Sequence, residues 1–515
     1  MNRNFDFKDL FILDMANNHQ GDVEHGLNII RSFAKVVKDH DARAALKFQF
    51  RQLDTFIHPD HQKHSDHKQV QRFMSTRLSW DKFQVMLDAV RANGMVTMCT
   101  PFDEASVDII CDMGFEVIKV ASCSGKDWPL LEKVADADKP VIFSTGGLTT
   151  RDIDNLVSFF QHRGVHFAVM HCVAIYPTPD HNMNLQQIAL LRSRYPGVHV
   201  GWSTHETPSD MTPVQLAVAL GAELFERHIG IATDKAPLNA YSSTPEQIAQ
   251  WILTKQRAQV LCGPKERQPA SETEQNAIDG LKRGVYAKRN LRKGSSIESD
   301  QVYFAIPYID GQLDSGRFKP GITCKEDFAA NAPILEDMVD LPEVEDELVI
   351  KHAVHEVKAL LNEAKIRLGP EFKVEYSHHY GIASFLETGA VLIECISRDY
   401  CKKLVVQLPG QKHPSHYHAR KEETFQVLYG ELECTVDGHY RKLVPGESVV
   451  VMPGVWHAFW TESGVVFEEI STRDYENDSF YEDKSINKLS RAERKTVVDH
   501  WGRFQIKAQV GQEEA

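Results

Sequence analysis

The sequence contains no long apolar run. No stretch of the 515 residues is apolar for long enough to cross a lipid bilayer, and residues 1–10 lack the apolar centre of a secretory signal peptide. Low-complexity segments are absent as well. We therefore expect a chain that is neither embedded in a membrane nor secreted.

An excess of positive charge and paired cysteines are also lacking. The chain has 58 Lys and Arg residues against 72 Asp and Glu residues, so its net charge is −14. This charge argues against nucleic acid and membrane surfaces as partners, but it is compatible with a local cationic pocket for a small phosphate. The nine cysteines are an odd number without paired spacing, which indicates reduced thiols and a cytoplasmic protein.

Short apolar runs alternate with amphipathic stretches from residue 10 to about residue 265, within a chain long enough for two or three domains. The eight apolar runs are 10–16, 44–50, 95–102, 117–122, 140–146, 167–176, 199–205 and 224–229. This pattern predicts an α/β fold with a (β/α)8 TIM barrel over residues 1–270. The alternative, an open doubly wound sheet, usually has fewer strands and a glycine-rich loop after the first strand, which is missing here.

Polar side chains stand where these runs end, and in a barrel such ends converge on one mouth. They are Asp14, Lys47, Gln49, Thr100, Lys119, Ser122, Ser144, Tyr176, Ser203, His205, Glu226 and His228. Lysines with hydroxyl groups suit a bound phosphate and carboxylate. Two histidines suit an exchangeable divalent ion such as Mn²⁺ or Mg²⁺, although the same pair could be core histidines bonded to backbone carbonyls. The acidic groups and Gln49 could orient a polyhydroxy partner or move protons, whereas Arg227 points the other way along its strand and is predicted to be structural.

A loop after the second predicted strand carries a histidine at every third position, at His58, His61, His64 and His67. A second metal site is conceivable there. We favour a solvated loop near the barrel mouth, because nothing in the sequence fixes the geometry of these side chains.

Several segments of the first half, in the same order along the chain, resemble the sialic acid synthase family. They are DMANNHQGD at 14–22, KFQ at 47–49, TPFD at 100–103, KVAS at 119–122, STGG at 144–147, HCVAIYPTP at 171–179, STH at 203–205 and ERH at 226–228. The resemblance implies a barrel that condenses phosphoenolpyruvate with an open-chain aldose, commonly N-acetylmannosamine. The products would be a 3-deoxy-2-keto sugar acid and phosphate.

The resemblance also implies roles for individual residues. Lys47, Thr100, Lys119, Ser122, Ser144 and Ser203 would hold phosphoenolpyruvate, and His205 and His228 would bind Mn²⁺ or a similar ion. Gln49, Tyr176 and Glu226 would face the acceptor sugar, and Asp14 stands where the family usually has glutamate. Two further departures are Ala174, where asparagine is usual, and Asn239, where an acidic residue is expected. These departures leave the acceptor aldose open.

The middle of the chain resembles the antifreeze-like (SAF) domain that follows the barrel in the same family, over residues 281–342. The resemblance implies a homodimer in which this domain covers the partner's barrel mouth and donates an arginine, for which Arg317 is the candidate. The alternative is a small domain that packs on its own chain. Residues 343–368 are predicted to form a linker with one helix over 355–368.

The last domain, predicted over residues 369–482, carries two cupin motifs. The first is Gly410-x5-His416-x-His418-x4-Glu423-x6-Gly430, and the second is Gly446-x5-Met452-Pro453-Gly454-x2-His457, with methionine in place of the usual first proline. Histidines at alternate strand positions face the same side of a small β-barrel, so His416, His418, Glu423 and His457 are predicted to hold one Mn²⁺, Fe²⁺, Ni²⁺ or Zn²⁺ ion. Residues 483–515 are predicted to form a helical tail.

Three functional hypotheses follow. In the first, the barrel is a phosphoenolpyruvate-dependent synthase and the cupin isomerises or epimerises the sugar, with a carboxylate such as Glu447 moving the proton. In the second, the barrel binds a sugar acid without catalysis and the cupin is a sensor. In the third, the cupin is the principal enzyme, a metal-dependent sugar isomerase.

Overall fold

The computed structural model describes residues 5–62, 65–234, 237–265, 267–342, 346–369, 372–475, 477–499 and 501. The chain divides into two compact units, Met1–Pro269 and Ala270–Ala515.

Eight parallel strands close the first unit into a barrel, which confirms the predicted fold. The strands are β1 (Leu10–Asp14), β2 (Arg43–Phe50), β3 (Val96–Pro101), β4 (Val117–Val120), β5 (Val141–Ser144), β6 (Phe167–Cys172), β7 (His199–Thr204) and β8 (Leu224–His228). β1 pairs with β8, where Asp14 lies opposite His228, and this pairing completes the circle.

Helices follow the strands on the outside of the barrel. They are α1 (Val23–Asp39), α2 (Leu53–Phe56), α3 (Pro59–Gln62), α4 (Lys68–Ser75), α5 (Trp80–Ala92), α6 (Glu104–Asp112), α7 (Trp128–Ala135), α8 (Thr150–His162), α9 (Gln186–Arg194), α10 (Thr212–Ala219) and α11 (Pro245–Cys262). Local chemistry fixes their starts: Asp22 accepts hydrogen bonds from two backbone amides at the start of α1, and Thr149 forms a capping box at the start of α8.

The barrel has an inner and an outer apolar layer, and β8 contributes to both. Leu224 belongs to the layer that fills the barrel interior, whereas Phe225 packs into the larger layer that includes outer helix residues such as Trp251. The alternation of side chains along a strand then places Glu226 and His228 on the inner face with Leu224. Arg227, on the outer face as predicted, pairs with Glu206 and lies 4.9 Å from the centre of the Trp251 ring.

The second unit begins with α12 (Glu272–Asp279) and two small antiparallel sheets. Their strands are β9 (Gly284–Ala287), β10 (Ser296–Ile297), β11 (Val302–Ala305), β12 (Ile322–Cys324) and β13 (Val339–Asp340). β9 pairs with β11, and β12 lies between β10 and β13. The assignment of this region as an antifreeze-like domain stays a prediction.

A helix and two antiparallel sheets form the rest of the second unit, as expected for a cupin. The helix, α13 (Asp346–Glu363), begins and ends earlier than the predicted helix over 355–368. The strands are β14 (Lys373–Ser377), β15 (Ala390–Ser397), β16 (Tyr400–Gln407), β17 (Lys412–His418), β18 (Glu423–Gly430), β19 (Leu432–Val436), β20 (His439–Leu443), β21 (Ser448–Val451), β22 (His457–Trp460), β23 (Val465–Thr472), β24 (Ser479–Tyr481) and β25 (Lys495–Asp499).

The predicted helical tail over 483–515 is wrong for its described part. Only α14 (Arg491–Arg494) is α-helical there, and β25 is a strand that pairs antiparallel with β14 at the edge of a seven-stranded sheet. Three consecutive β-formers, Thr496 to Val498, favour extended backbone, and the free edge of β14 supplies their hydrogen-bond partners. Residues 502–515 lie outside the described part.

Among the described residues, none of the helices has the length and apolar character needed to cross a membrane.

Candidate active site and metal sites

A cavity of about 950 Å³ occupies the mouth of the barrel, at the carboxyl ends of the strands. All the residues predicted for the barrel site line it except Thr100, which is buried behind Lys47 with its Oγ1 3.4 Å from the Lys47 Nζ. The strand ends therefore bring the predicted residues together. Their individual roles stay predictions.

Two buried lysines and two buried carboxylates form a continuous array at the cavity floor. Lys47 Nζ lies 2.9 Å from Asp14 Oδ2 and 2.7 Å from Glu226 Oε1. Lys119 Nζ lies 3.3 Å from Glu226 Oε2 and donates to Ser144 Oγ at 2.5 Å. Glu226 thus bridges the two lysines, and each carboxylate offsets charge that would be costly to bury alone.

The charges in this array shift one another's pKa values. Burial alone would raise the pKa of Glu226, but Lys119 and Lys47 overcome it and hold the pKa below its usual range. Burial alone would lower the pKa of Lys47, yet Asp14 and Glu226 raise it. Burial dominates at Lys119 and lowers its pKa, since only Glu226 opposes it strongly. Lys119 is therefore the less firmly held cation of the two.

Three serine hydroxyls line the cavity, and one of them, that of Ser144, accepts a hydrogen bond from Lys119. Ser122 Oγ accepts a hydrogen bond from the Gly146 amide at 3.0 Å. A Cβ at Gly146 would lie 2.7 Å from that oxygen, so only glycine fits this close approach. Ser144 and Ser203 also line the cavity, and the set offers oriented donors next to a cation.

The two barrel histidines lie side by side. The ring centroids of His205 and His228 are 5.3 Å apart, and His228 Nδ1 is 3.4 Å from Asp14 Oδ2. Burial lowers the pKa of both histidines, that of His205 to about 3, so both are neutral at physiological pH. His205 Nδ1 donates to the Val173 carbonyl at 3.0 Å, which leaves the lone pair of its Nε2 free. Two neutral imidazoles beside a carboxylate fit a divalent ion.

Aromatic side chains form the wall above these histidines. The Tyr176 ring centroid lies 4.1 Å from that of His205, and the Tyr241 centroid lies 5.2 Å from that of His228. Gln49, which also lines the cavity, donates to Asp14 Oδ2 at 3.1 Å. This part of the cavity therefore pairs apolar ring surface with hydrogen-bonding groups, which suits a polyhydroxylated ligand.

Arg51 and Tyr241 are among the cavity residues that sequence reasoning missed. The guanidinium of Arg51 lies 3.6 Å from the centre of the Phe102 ring and donates to Gln49 Oε1 at 3.2 Å. Burial lowers its pKa to about 10, so it stays charged at neutral pH. The period of two from Lys47 through Gln49 continues to Arg51 and could have revealed it. Tyr241 follows β8 in a loop that gave no comparable signal.

The histidine loop reaches the rim of the same cavity. His58, His61 and His67 line it, while His64 lies outside the described residues. Within the described part of the chain, no group of three potential metal ligands includes these histidines. The solvated loop stays a prediction.

A separate cluster of imidazoles lies in the second unit. The ligand atoms of His416, His418 and His457 are all within 4.8 Å of one another, and all three residues are buried. Each ring has its Nδ1 close to a backbone carbonyl oxygen, at 3.0 Å from Pro414, 3.2 Å from Asp478 and 3.2 Å from Val455, respectively. If each Nδ1 donates, the lone pairs of all three Nε2 atoms are left for one ion.

The fourth predicted cupin ligand, Glu423, lies next to this triad. Its Oε1 is 3.3 Å from His418 Nε2, and its Oε2 is 3.2 Å from His457 Nε2. Lys421 Nζ also approaches Oε1, at 2.5 Å, and despite burial it holds the pKa of Glu423 well below the usual range. The Glu423 oxygens and the Nε2 lone pairs that they face are all electron donors, and a cation bound between them would satisfy both. The four side chains therefore fit a divalent ion.

The comparisons with known proteins agree with this geometry. The NeuB family model matches residues 35–267, and the cupin domain model matches residues 403–469. An uncharacterized protein of Methanocaldococcus jannaschii is 32% identical over 292 residues, which are 56% of this chain and 82% of that protein. A crystal structure described as spore coat polysaccharide biosynthesis protein E, from Chromobacterium violaceum, is 46% identical with a TM-score of 0.63, and the match covers 65% of this chain and 100% of that one.

The chain belongs to the NeuB family. It carries a cupin domain in addition. Another relative, an N-acetylneuraminate-9-phosphate synthase of Drosophila melanogaster, is 31% identical over 225 residues, which are 42% of this chain and 59% of that protein. The resemblance to sialic acid synthases, first inferred from the strand-end motifs, is confirmed.

The positions that depart from the usual pattern of the sialic acid synthase family all lie on the wall of the NeuB-family cavity. Ala174 borders the Gly146 and Ser122 contact, since a Cβ at Gly146 would lie 3.4 Å from the Ala174 Cβ. Asn239 accepts a hydrogen bond from the Tyr241 amide at 3.2 Å and so shapes the loop that carries this ring.

Arg317, the residue predicted to be donated to the barrel of a partner subunit, forms an ion pair with Glu336 of its own chain.

Proposed function

We propose that the barrel condenses phosphoenolpyruvate with an open-chain aldose, giving a 3-deoxy-2-keto sugar acid and phosphate. The observation that carries this proposal is the array in which Glu226 bridges two buried lysines beside a ring of hydroxyls. Such an array suits a small, multiply charged substrate, because the anion can take over the lysines from the carboxylates. The relationship to an N-acetylneuraminate-9-phosphate synthase supports the same reaction class.

In this proposal the chain binds the two substrates on opposite sides of the cavity. Lys119, Lys47 and the serine hydroxyls hold the phosphate and carboxylate of phosphoenolpyruvate. Gln49, Tyr176 and Arg51 face the hydroxyls of the aldose. A divalent ion such as Mn²⁺ or Mg²⁺ on His205 and His228 supplies a Lewis acid for the aldehyde oxygen.

The proposed reaction first joins the two substrates and then adds water at C2. The methylene carbon of phosphoenolpyruvate bonds to the aldehyde carbon, the aldehyde oxygen takes a proton, and C2 becomes cationic. Water adds to C2 and loses a proton. The bond between C2 and the phosphate oxygen then breaks, and the new C2 hydroxyl gives its proton to the departing phosphate, which leaves the ketone. When the substrate draws the lysines away, Glu226 regains basicity, and its carboxylate is placed to accept the proton of the water. The lysines offset the negative charge of the leaving phosphate.

The test is phosphate release by the whole chain from phosphoenolpyruvate, with Mn²⁺ and with hexosamines, hexoses and pentoses in turn. We expect release with at least one aldose and at least a 100-fold loss in His228→Ala. The matched control is His181→Ala, which changes an exposed histidine away from the cavity and should leave the rate unchanged. If no aldose supports release, the proposal fails.

A second candidate activity belongs to the cupin, because its three convergent imidazoles fit a metal. We propose that it isomerises or epimerises a sugar. The alternative is a sensor that binds without turnover. Aldose–ketose exchange followed by NMR separates the two: exchange lost in His457→Ala supports the isomerase, and binding without exchange supports the sensor.

A homodimer in which the antifreeze-like domain covers the partner's barrel mouth also stays a proposal. It requires Arg317 to leave Glu336 and act across subunits. In mixtures of Arg317→Ala with a barrel-inactive His228→Ala chain, a cross-subunit role predicts that mixed dimers are more active than either variant alone. Activity equal to the sum of the separate variants would contradict it.

A further inference from the structure

The cupin cavity carries a cation that its carboxylates do not neutralise. This cavity has a volume of about 340 Å³. Its wall includes His416 and His418 of the histidine triad and five basic side chains. The basic residues are Lys403, Lys421, Arg491, Arg494 and Lys495.

Four of these cations have carboxylate partners. Lys421 Nζ lies 2.5 Å from Glu423 and 3.1 Å from Glu469, and Lys403 Nζ lies 3.1 Å from Asp474. Glu375 takes the remaining two, with Lys495 at 2.5 Å and Arg491 at 3.0 Å. Four carboxylates therefore serve four cations.

Arg494 is the fifth. Its Nε and Nη1 atoms are shielded from solvent, and neither has a hydrogen-bond partner among the residues that the structure describes. Buried donors without partners cost free energy, and a guanidinium is built to donate in parallel to the two oxygens of a carboxylate or phosphate. Because Arg494 lines the cavity, an anionic ligand bound there would neutralise its charge.

The Tyr481 ring contacts both Arg494 and one of the triad histidines. The Arg494 Cζ lies 5.3 Å from the centre of the Tyr481 ring, and that ring stacks on His416 with centroids 5.3 Å apart. The Tyr481 hydroxyl is 2.9 Å from His379 Nε2. One ring thus contacts both groups, and Arg494, Tyr481 and His416 all line the same cavity of about 340 Å³, which a ligand of a few carbon atoms can span.

We propose that the cupin cavity binds a small polyhydroxylated anion. Arg494 holds its carboxylate or phosphate group, and its hydroxyls face His416 and His418. This assignment names the ligand class of the cupin. It does not depend on the reaction proposed for the barrel.

The test measures binding to the whole chain by isothermal titration calorimetry. The ligands are D-glucuronate, D-glucose 6-phosphate, D-glucose and inorganic phosphate, with the wild-type chain, Arg494→Gln and Arg494→Lys. We expect at least one of the two sugar anions to bind at least 10-fold more tightly than glucose. Arg494→Gln should abolish this preference, and Arg494→Lys should weaken it about threefold or more, because lysine keeps the charge and loses the paired donors.

The control is Arg441→Gln, which removes an exposed arginine on β20, outside the cavity wall, and should change nothing. The two sugar anions distinguish a carboxylate ligand from a phosphate ligand. Anion binding that survives both Arg494 variants would assign it to another site and overturn the proposal. So would glucose binding as tight as that of the sugar anions, or binding of inorganic phosphate without any preference for its sugar ester.

Discussion

At the scale of single residues, the barrel site could be predicted because its side chains sit at strand ends. Lys47, Glu226 and their neighbours interrupt apolar runs, and the closed barrel brings those interruptions to one mouth. Which cation pairs with which carboxylate could not be predicted, because the pairing depends on distances between strands. Arg51 was missed although the alternation of Lys47 and Gln49 continues to it, because it lies one residue beyond the end of β2.

The first prediction concerns the bridging carboxylate. Glu226→Gln leaves two buried lysines without their shared partner, so we expect about 3 kcal/mol less stability and at least a 100-fold lower rate of phosphate release. Added phosphoenolpyruvate should stabilise the variant more than the wild type, because the ligand replaces the missing charge. Urea unfolding with and without the ligand measures both effects.

Its control is Glu132→Gln, which alters an exposed partner of Arg163 and should cost under about 0.5 kcal/mol. Equal unfolding midpoints for Glu226→Gln and wild type would show that the lysines do not need this carboxylate.

The second prediction concerns metal binding by the cupin triad. Because the three imidazoles are buried and converge, we expect Mn²⁺, Fe²⁺, Ni²⁺ or Zn²⁺ to stabilise the second unit by roughly 3 kcal/mol at 100 times its dissociation constant. His416→Ala should remove this stabilisation and one equivalent of bound metal. Thermal unfolding and elemental analysis report the two quantities.

His439→Ala, which changes an exposed histidine on β20, is the matched control and should retain both. The idea is wrong if none of the four ions changes the unfolding of the wild-type chain.

At the scale of elements, periodicity predicted the eight strands well but failed at the end of the chain. A barrel strand is buried on both faces, so it stands out as an apolar run. β25 is an edge strand whose described side chains are half-buried or exposed, and its polar positions resemble a surface helix. Only the edge of β14, more than a hundred residues earlier in the sequence, decides between helix and strand.

The third prediction tests the contact between β7 and β8 that positions Glu226. A Cβ at Gly201 would lie 2.5 Å from the Leu224 carbonyl oxygen and 2.5 Å from its Cγ. Gly201→Ala must therefore push β8 away, and we expect a loss of about 1–3 kcal/mol in stability together with lower activity. Chemical unfolding and phosphate release test the two parts.

Gly280→Ala gives the comparison, since its Cβ would meet nothing closer than 3.6 Å and should be tolerated. Wild-type activity in Gly201→Ala would mean that the register of β7 and β8 does not control the site.

At the scale of the whole molecule, the sequence predicted a barrel and a cupin in one chain, and the structure describes both folds. Buried histidines also couple each unit to pH. Burial lowers the pKa of His19, in the first unit, to about 4, and that of His379, in the second, to about 3. Neither residue is a predicted metal ligand. The protonation of these two histidines therefore affects the stability of the fold and does not involve a predicted metal site.

The fourth prediction follows from these two histidines. In the unfolded chain each titrates near its usual pKa of about 6.5 and takes up a proton below it, whereas the folded chain does not until about pH 4 or 3. Stability must therefore fall as the pH falls through 6.5, by about 1 kcal/mol for each histidine between pH 7.5 and 5.5. Carboxylates with lowered pKa values, such as Glu226, act in the same direction but only below about pH 4.5.

Urea unfolding at several pH values, with a chelator present, measures this dependence. His19→Gln should flatten it for the first unit and His379→Gln for the second, because each variant removes one proton-binding group from the unfolded chain. His181→Gln, at an exposed position, should leave both curves unchanged. His199 acts in the opposite direction, since hydrogen bonding to Glu223 raises its pKa, and its stabilisation is lost as the pH rises. A first unit as stable at pH 5.5 as at pH 7.5, in both wild type and His19→Gln, would show that this buried histidine does not couple the barrel to pH.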